Sequence, residues 1–291
     1  MSGRRNGVLL LVLVTAIWGT TFPFVKTLGE RSLEPAAIIT VRFSFAALVL
    51  SPWLRRLTWP KVRDGSILGA FAFASYATQT IGLEKVTSGR AAFITGLNVI
   101  MVPLALPFLG RRLHRLVLMA AALAVLGISL MSWDDGALRF SVGDIWILAC
   151  AVSYAAYVLL LERFAPRHEV VALSAVQVMT VGSLGAVWLA MSGPVESARV
   201  LGDVSAGTWL TLLYLGLVAV AISTLLQTRA QQIVPAPVAA IVYALEPVFG
   251  AGASFAWRGE RIAPIGFAGG ALVIVAMVLS QRAVLADSVP I

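Results

Sequence analysis

An all-α polytopic membrane protein is the fold class this sequence predicts: ten transmembrane helices in two inverted five-helix repeats, with both termini cytoplasmic. Three observations carry that expectation. The 291 residues are 59% hydrophobic and only 12% charged, with a mean hydropathy of +0.90, about half the charge of an average soluble domain. Apolar runs of spanning length recur along the whole chain. The two halves echo one another weakly, in the same order.

The runs fall at 7–28, 35–54, 65–83, 91–109, 114–132, 143–161, 170–192, 206–227, 236–257 and 262–281. About twenty residues at ~1.5 Å each cross a ~30 Å hydrocarbon core. The first run follows Arg4-Arg5, is too long for a secretory leader and has no small-residue cleavage site, so it reads as a span. The hydrophilic stretches Arg55–Asp64, Met131–Asp144 and Gly193–Ala206 are connectors, too short to fold alone. The sequence divides at 1–135 and 136–291.

Charge sets the orientation. With the N-terminus cytoplasmic, thirteen lysines and arginines fall inside and eight outside, whereas four acids fall inside and nine outside. Arg42 and Glu246 remain within the membrane. The net charge of +8 therefore describes topology rather than a nucleic-acid surface. The single cysteine, Cys150, lies in an apolar run and reads as packing, and His114 and His168 lie at helix ends, which excludes a histidine-rich metal site. No Gly-x-x-x-x-Gly-Lys-[Ser/Thr] phosphate loop appears, and no cofactor is implied.

Leu83-Glu-Lys-Val86 and Ala91-Ala92 match Gln231-Gln-Ile-Val234 and Ala239-Ala240 at an offset of 148, as Gln79 matches Gln227. Trp18-Gly19 resembles Tyr154-Ala155 at 136, and Gly110-Arg-Arg-Leu113 resembles Gly259-Glu-Arg-Ile262 at 149. Five helices per copy is an odd number, so the second copy enters the bilayer upside down. A solute site is expected between the halves, near the midplane.

Glu246, followed at once by Pro247, is the one charge in the run 236–257. A carboxylate at that depth costs roughly 2.5–3.5 kcal/mol or more. Two roles suit it: a protonatable or ligand group facing a cavity, or a structural carboxylate held by a hydroxyl, a backbone donor or Arg42. Asn98 is its counterpart at offset 148 and joins the substrate-binding candidates: an amide and a carboxylate facing each other across the repeat axis could both hydrogen-bond a zwitterion. Arg42, two turns into its helix, neutralises a carboxylate, caps a broken helix or binds a solute's carboxylate. Lys26 lies one turn from a helix end and is expected to snorkel. Tyr76, Gln79 and Thr80 share a helix face by spacing, as do Tyr154 and Tyr157. Gln227 and Tyr243 complete a candidate substrate-binding set of Tyr, Gln and Thr, suited to an amphipathic organic solute. Trp53, Trp59, Trp133, Trp146, Trp209 and Trp257 read as interfacial belts. Gly250, Gly252, Gly266, Gly269 and Gly270 are expected to bring the last two spans close, and Pro23, Pro103, Pro107, Pro237 and Pro247 are candidate kinks.

Trp18-Gly-Thr-Thr-Phe22 with Lys26, Arg42, Leu245-Glu-Pro247 and Gly259-Glu-Arg-Ile262 resemble the EamA-type members of the drug/metabolite transporter superfamily. The resemblance covers the whole chain as two units, and the overall pattern is similar to bacterial aromatic amino-acid exporters. One departure is that the first half carries Gly110-Arg-Arg-Leu113 where the family has Gly-Glu-Arg, so Glu260 lacks a repeat partner. The resemblance implies an inner-membrane, monomeric exporter of amino acids or related amphipathic metabolites, surrounded by lipid, working by alternating access. Export of drug-like solutes or lipids is the alternative. An intramembrane enzyme would need a nucleophile with its base, paired acids or a metal within the bilayer, and only one acid lies deep in this chain.

Overall fold

The computed structural model describes residues 2–110, 115–131, 133–134, 137–138, 140–192, 194–260 and 263–287. Arg111, Arg112, Leu113, His114, Arg261 and Ile262, which carry parts of the repeat match and the charge asymmetry, lie outside the described residues. The helices are α1 Ser2–Glu30, α2 Pro35–Leu50, α3 Trp59–Leu83, α4 Ser88–Thr95, α5 Asn98–Leu104, α6 Arg115–Met131, α7 Val142–Phe164 and α8 Val170–Ser192. They continue with α9 Pro194–Asp203, α10 Ala206–Gly216, α11 Ser223–Gln231, α12 Ala236–Tyr243, α13 Glu246–Arg258 and α14 Pro264–Asp287. A two-residue hairpin, Trp133–Asp134 with Ala137–Leu138, occupies the predicted connector before α7.

Among the described residues, five stretches are long and apolar enough to cross a membrane: Arg5–Glu30, Pro35–Leu54, Val142–Arg167, Val170–Ser192 and Ala206–Gln231. Shorter apolar helices cover Ser88–Leu104, Leu118–Gly127 and Pro264–Leu279. Two predicted connectors are partly helical. The α3 helix starts at Trp59 rather than near 65, with Pro60 in its first turn where a missing N–H costs nothing, and 194–203 forms α9.

The runs expected as continuous helices at 91–109 and 236–257 are each interrupted. In the first, Gly96 and Leu97 separate α4 from α5; in the second, Ala244 and Leu245 separate α12 from α13. Both interruptions are single tightened turns, with Leu97 N–H bonding Ile94 O (3.1 Å) and Leu245 N–H bonding Val242 O (3.0 Å). The positions differ by the same 148 residues as the sequence matches. Pro247 follows the break instead of causing a kink at its own position: it lies in the first turn of α13, where a missing donor is tolerated. In α4–α5, which lacks a proline at the matching point, the Asn98 side chain donates from Nδ2 to Thr95 O at 2.8 Å, a local competitor for helical bonding. Pro23 lies within a continuous α1.

The two interruptions touch. A Cβ built on Gly96 would lie 2.6 Å from Pro247 Cγ and 2.6 Å from Met277 Cε. Nearby, a Cβ on Gly19 would meet Phe249 Cβ at 2.5 Å and one on Gly250 would meet Ala92 Cβ at 2.6 Å, so α1, α13 and α4 approach at backbone distance. Thus Gly250 serves contact with the first half of the chain, not with the neighbouring last span, and Gly252 faces open space. The Trp53, Trp59, Trp146, Trp209 and Trp257 side chains are exposed near helix ends, where the belt reading expects them. The Trp133 side chain lies outside the described residues.

One polar cluster fastens the end where α1 and α13 finish and α4 begins. Gly259 closes α13 at φ +64°, a left-handed cap, and this turn aims Glu260 back at α4. Glu260 accepts from Ser88 Oγ (2.7 Å) and Gly89 N (3.2 Å), capping α4 from outside its own chain segment. Arg258 donates from Nε to Glu260 (2.7 Å) and through both Nη atoms to Glu30 (2.8 and 2.7 Å). The Lys26 Nζ donates to Leu83 O at 2.7 Å, completing the C-terminus of α3.

Gly96→Ala should cost about 1–3 kcal/mol, because the rigid Pro247 ring must give way, whereas Gly252→Ala should leave the detergent thermal midpoint unchanged or higher; equal effects would refute the contact. Partial burial works against the Glu260 charge, but the bonds from Ser88, Arg258 and Gly89 outweigh it and hold the carboxyl below its ordinary value. The stabilisation is therefore full above about pH 4.3 and is lost as pH falls through the lower native value. Glu260→Gln should flatten that acid limb of a pH–stability curve and cost about 1 kcal/mol at neutral pH.

Candidate functional site

The centre of the bundle holds a cavity lined by Trp18 and Thr21 from α1, Arg42 from α2, Ser75, Tyr76 and Gln79 from α3, and Thr95 from α4. Cys150 and Tyr154 from α7, Ala219 and Val220 from the segment between α10 and α11, and Glu246 from α13 complete the wall. A deeper recess shares Trp18, Ser75, Tyr76 and Tyr154 with it and adds Tyr157, Gln177, Thr224 and Gln227. A third cavity lies about one turn further along α1, α2 and α3 in the other direction, lined by Val25, Lys26, Glu30, Ile38, Thr80 and Leu83 among others. The three cavities step in register along the same three helices.

Of the residues expected to bind solute, Tyr76, Gln79 and Tyr154 line the central cavity, and Tyr157 and Gln227 line the recess. Thr80 does not join them. It lines the third cavity, and its hydroxyl is spent on Tyr76 O at 2.7 Å. Tyr243 is fully buried behind the wall, with its ring 5.8 Å from both Trp18 and Tyr154. Asn98 is also buried, outside the cavity lining, with Oδ1 unpartnered. It therefore does not face Glu246 across the cavity, although both residues open the second half of an interrupted helix.

The wall of the recess is an amide–phenol network. Tyr157 Oη donates to Gln177 Oε1 at 2.8 Å. Gln227 Nε2 donates to Tyr154 Oη (2.7 Å) and Tyr243 Oη (2.9 Å), and Tyr243 Oη to Gln231 Oε1 (3.3 Å). Gln231 Nε2 closes the set on Val158 O at 3.2 Å. Buried tyrosines need such partners, and here α7, α8, α11 and α12 supply them to one another.

Trp18, Thr21, Ser75, Thr95 and Cys150 are lining residues that the residue-by-residue reading passed over. Trp18 had a signal: it matches Tyr154 between the halves, and the two rings meet edge to face at 5.6 Å. Its indole Nε1 donates to Ala219 O at 3.3 Å, within a π-helical segment, Leu217–Ile222. Such an insertion leaves carbonyls short of helical donors and is often found beside functional sites. Cys150 is not simply core packing: Sγ lies 3.3 Å from Ser75 Oγ in the cavity wall.

The electrostatics of the cavity are set by Arg42 and Glu246, only 2% and 4% exposed. The Arg42 guanidinium lies 4.5 Å from the Tyr76 ring centroid and 5.4 Å from that of Phe43, a cation–π seat. Its Nε and Nη2 have no hydrogen-bond partner. Among the described residues Arg42 and Glu246 form no ion pair with one another or with any other side chain. A charge at that depth costs about 2.5–3.5 kcal/mol or more in a membrane, and the fold leaves a guanidinium and a carboxyl group unpaired in one cavity.

Comparison with known proteins agrees with this architecture. The model of the EamA-like transporter family matches residues 5–133 and again 141–281. An uncharacterized transporter of Archaeoglobus fulgidus is 28% identical over 95% of this chain and 86% of its own length. A probable terminal-alkyne amino-acid exporter of Streptantibioticus cattleyicolor is 27% identical over 95% of this chain and 94% of its own. A solved crystal structure superimposes with a TM-score of 0.70 at 18% identity, covering 98% of this chain and 99% of that one, which establishes a shared fold. With nearly its whole length matched as two consecutive copies, this membrane protein belongs to the EamA-like transporter family, within the drug/metabolite transporter superfamily.

Proposed function

We propose that the chain exports amino acids or related amphipathic metabolites across the bacterial inner membrane by alternating access. The observation that carries the reading is the central cavity itself: an aromatic and amide lining drawn from α1, α2, α3, α4, α7 and α13. Ring faces and a few fixed polar groups are what a small amphipathic solute needs from a binding pocket. The name of the Streptantibioticus relative, a probable amino-acid exporter, points the same way.

On this reading the ten spans are α1, α2, α3, α4–α5, α6, α7, α8, α10–α11, α12–α13 and α14, with both termini cytoplasmic. Residues 1–135 and 136–291 form inverted repeats. The interrupted spans α4–α5 and α12–α13 meet at the midplane, where discontinuous helices commonly surround transported solutes. The third cavity then faces outward, and the Gln227 network closes the inner side. The halves rock about the Gly96–Pro247 contact, and lipid surrounds a single copy.

Purified protein in liposomes should take up radiolabelled phenylalanine, methionine or threonine saturably, and Tyr76→Ala should reduce the initial rate at least about tenfold. No protein-dependent uptake of any of the three would sink the amino-acid assignment and favour lipids or drug-like solutes. The single cysteine offers a second check. A methanethiosulfonate reagent should modify Cys150 slowly and stop transport, and a saturating transported amino acid should protect the thiol; modification without loss of transport would remove this cavity from the path.

A further inference from the structure

Two observations on the central cavity go beyond its general suitability for amphipathic solutes. Arg42 reaches it with Nε and Nη2 unpartnered while its guanidinium is held against the Tyr76 ring. Glu246 reaches the same cavity from the first turn of α13, with no hydrogen bond or ion pair among the described residues. An Arg and a Glu kept for structure alone would be expected to pair, since breaking a buried pair leaves two uncompensated charges. They are instead separated within one cavity, each nine-tenths or more buried.

We propose that Arg42 and Glu246 are a two-point receptor for a zwitterion: Arg42 receives the α-carboxylate and Glu246 the α-ammonium of the solute. This rests on the transport function proposed above and adds the chemical rule by which the site selects. A planar guanidinium presents paired N–H donors that match a carboxylate. The Tyr76 ring fixes its plane without consuming those donors. On the other side, the opening turn of α13 favours a carboxylate at position 246, because the helix presents its positive end there. The remaining lining, Trp18 and Tyr154 with Ala219 and Val220, is left to accommodate an apolar or aromatic side chain. A zwitterion satisfies both charges at once. An amine leaves Arg42 unpaired, and an acid leaves Glu246 unpaired.

A site built to bond a polar group rejects analogues that lack it far more strongly than it rejects a change in apolar bulk. The test is therefore competition against labelled L-phenylalanine uptake by the full chain in liposomes, using phenethylamine, which lacks the carboxylate, and 3-phenylpropanoate, which lacks the ammonium. Each analogue should need at least about ten times the concentration of unlabelled phenylalanine for half inhibition. Arg42→Gln should bring phenethylamine level with phenylalanine while 3-phenylpropanoate still fails, and Glu246→Gln should do the reverse. Either analogue competing within about twofold of phenylalanine in the unaltered protein overturns the receptor while leaving transport intact, and that comparison needs no variant to fold. Equal loss of all three ligands in correctly folded Arg42→Gln and Glu246→Gln proteins also overturns it, in favour of structural charges. Absence of phenylalanine uptake altogether removes the transport reading and this inference with it.

Discussion

The contact between Gly96 and Pro247 fixes the rest of the centre. It joins two helices at the points where each is interrupted, with no room for even a methyl group between them. Because Pro247 supplies no N–H, α12 cannot run through into α13 with unbroken bonding. The chain takes a tightened turn at Ala244 and Leu245, and α13 starts afresh with Glu246. The proline ring then seats on the bare backbone at Gly96. That seat sets the position from which Glu246 enters the cavity, and it brings α13 against α4 and α1 at Gly250 and Gly19. The Arg258–Glu260–Ser88 cluster holds the same three helices further along, so α13 is located at two separate levels.

Around this fixed point the polar wall is less rigidly specified. Gln227 Nε2 carries two hydrogens yet has three acceptors in range, at 2.7, 2.9 and 3.3 Å. The longest, to Gln231, is the one left to share. Gln231 Oε1 is meanwhile served by Tyr243, so no buried group is stranded when Gln227 favours its phenols. Gln227 Nε2, with more acceptors in range than hydrogens, can exchange partners at small cost, in contrast to the close-packed glycine contacts. In the proposed cycle this difference divides the labour: the backbone contact acts as pivot, and the amide–phenol wall rearranges.

Much of this was legible in the sequence, for identifiable reasons. A lone carboxylate in an apolar run is expensive, so Glu246 was visible without any structure. Gln227 was found through its offset from Gln79, because a repeat transfers position from one half to the other. Helix spacing was a blunter instrument. At 100° per residue, Gln79 and Thr80 flank Tyr76 on opposite sides, and the cavity takes Gln79 while Thr80 passes to the next one. The interruption at Gly96 was hidden, since glycine in an apolar helix reads equally as close packing; only its register with the 244–245 break reveals it. Ser75, Thr95 and Cys150 carry no charge or bulk and give no signal at all. The π-helical turn before Ser223 has no sequence signature either, and Trp18, which bonds its carbonyl, was noticed as a repeat match and a family motif but not as a lining residue.

The two halves agree in backbone and differ in side-chain chemistry, and the difference falls where it matters. The interrupted helices break at the same relative place, but one resumes with Asn98 and the other with Glu246. The Asn98 amide donates to Thr95 O, and among the described residues Glu246 is the one acid and Arg42 the one cation that line the central cavity. The Glu260 cap on α4 likewise matches Arg111 in the first half. In the proposed cycle, symmetric backbones favour two equivalent conformations of opposite access, whereas the proposed receptor for a zwitterion must be polar in one direction. A chain that duplicates its scaffold and diverges at these few side chains can meet both requirements.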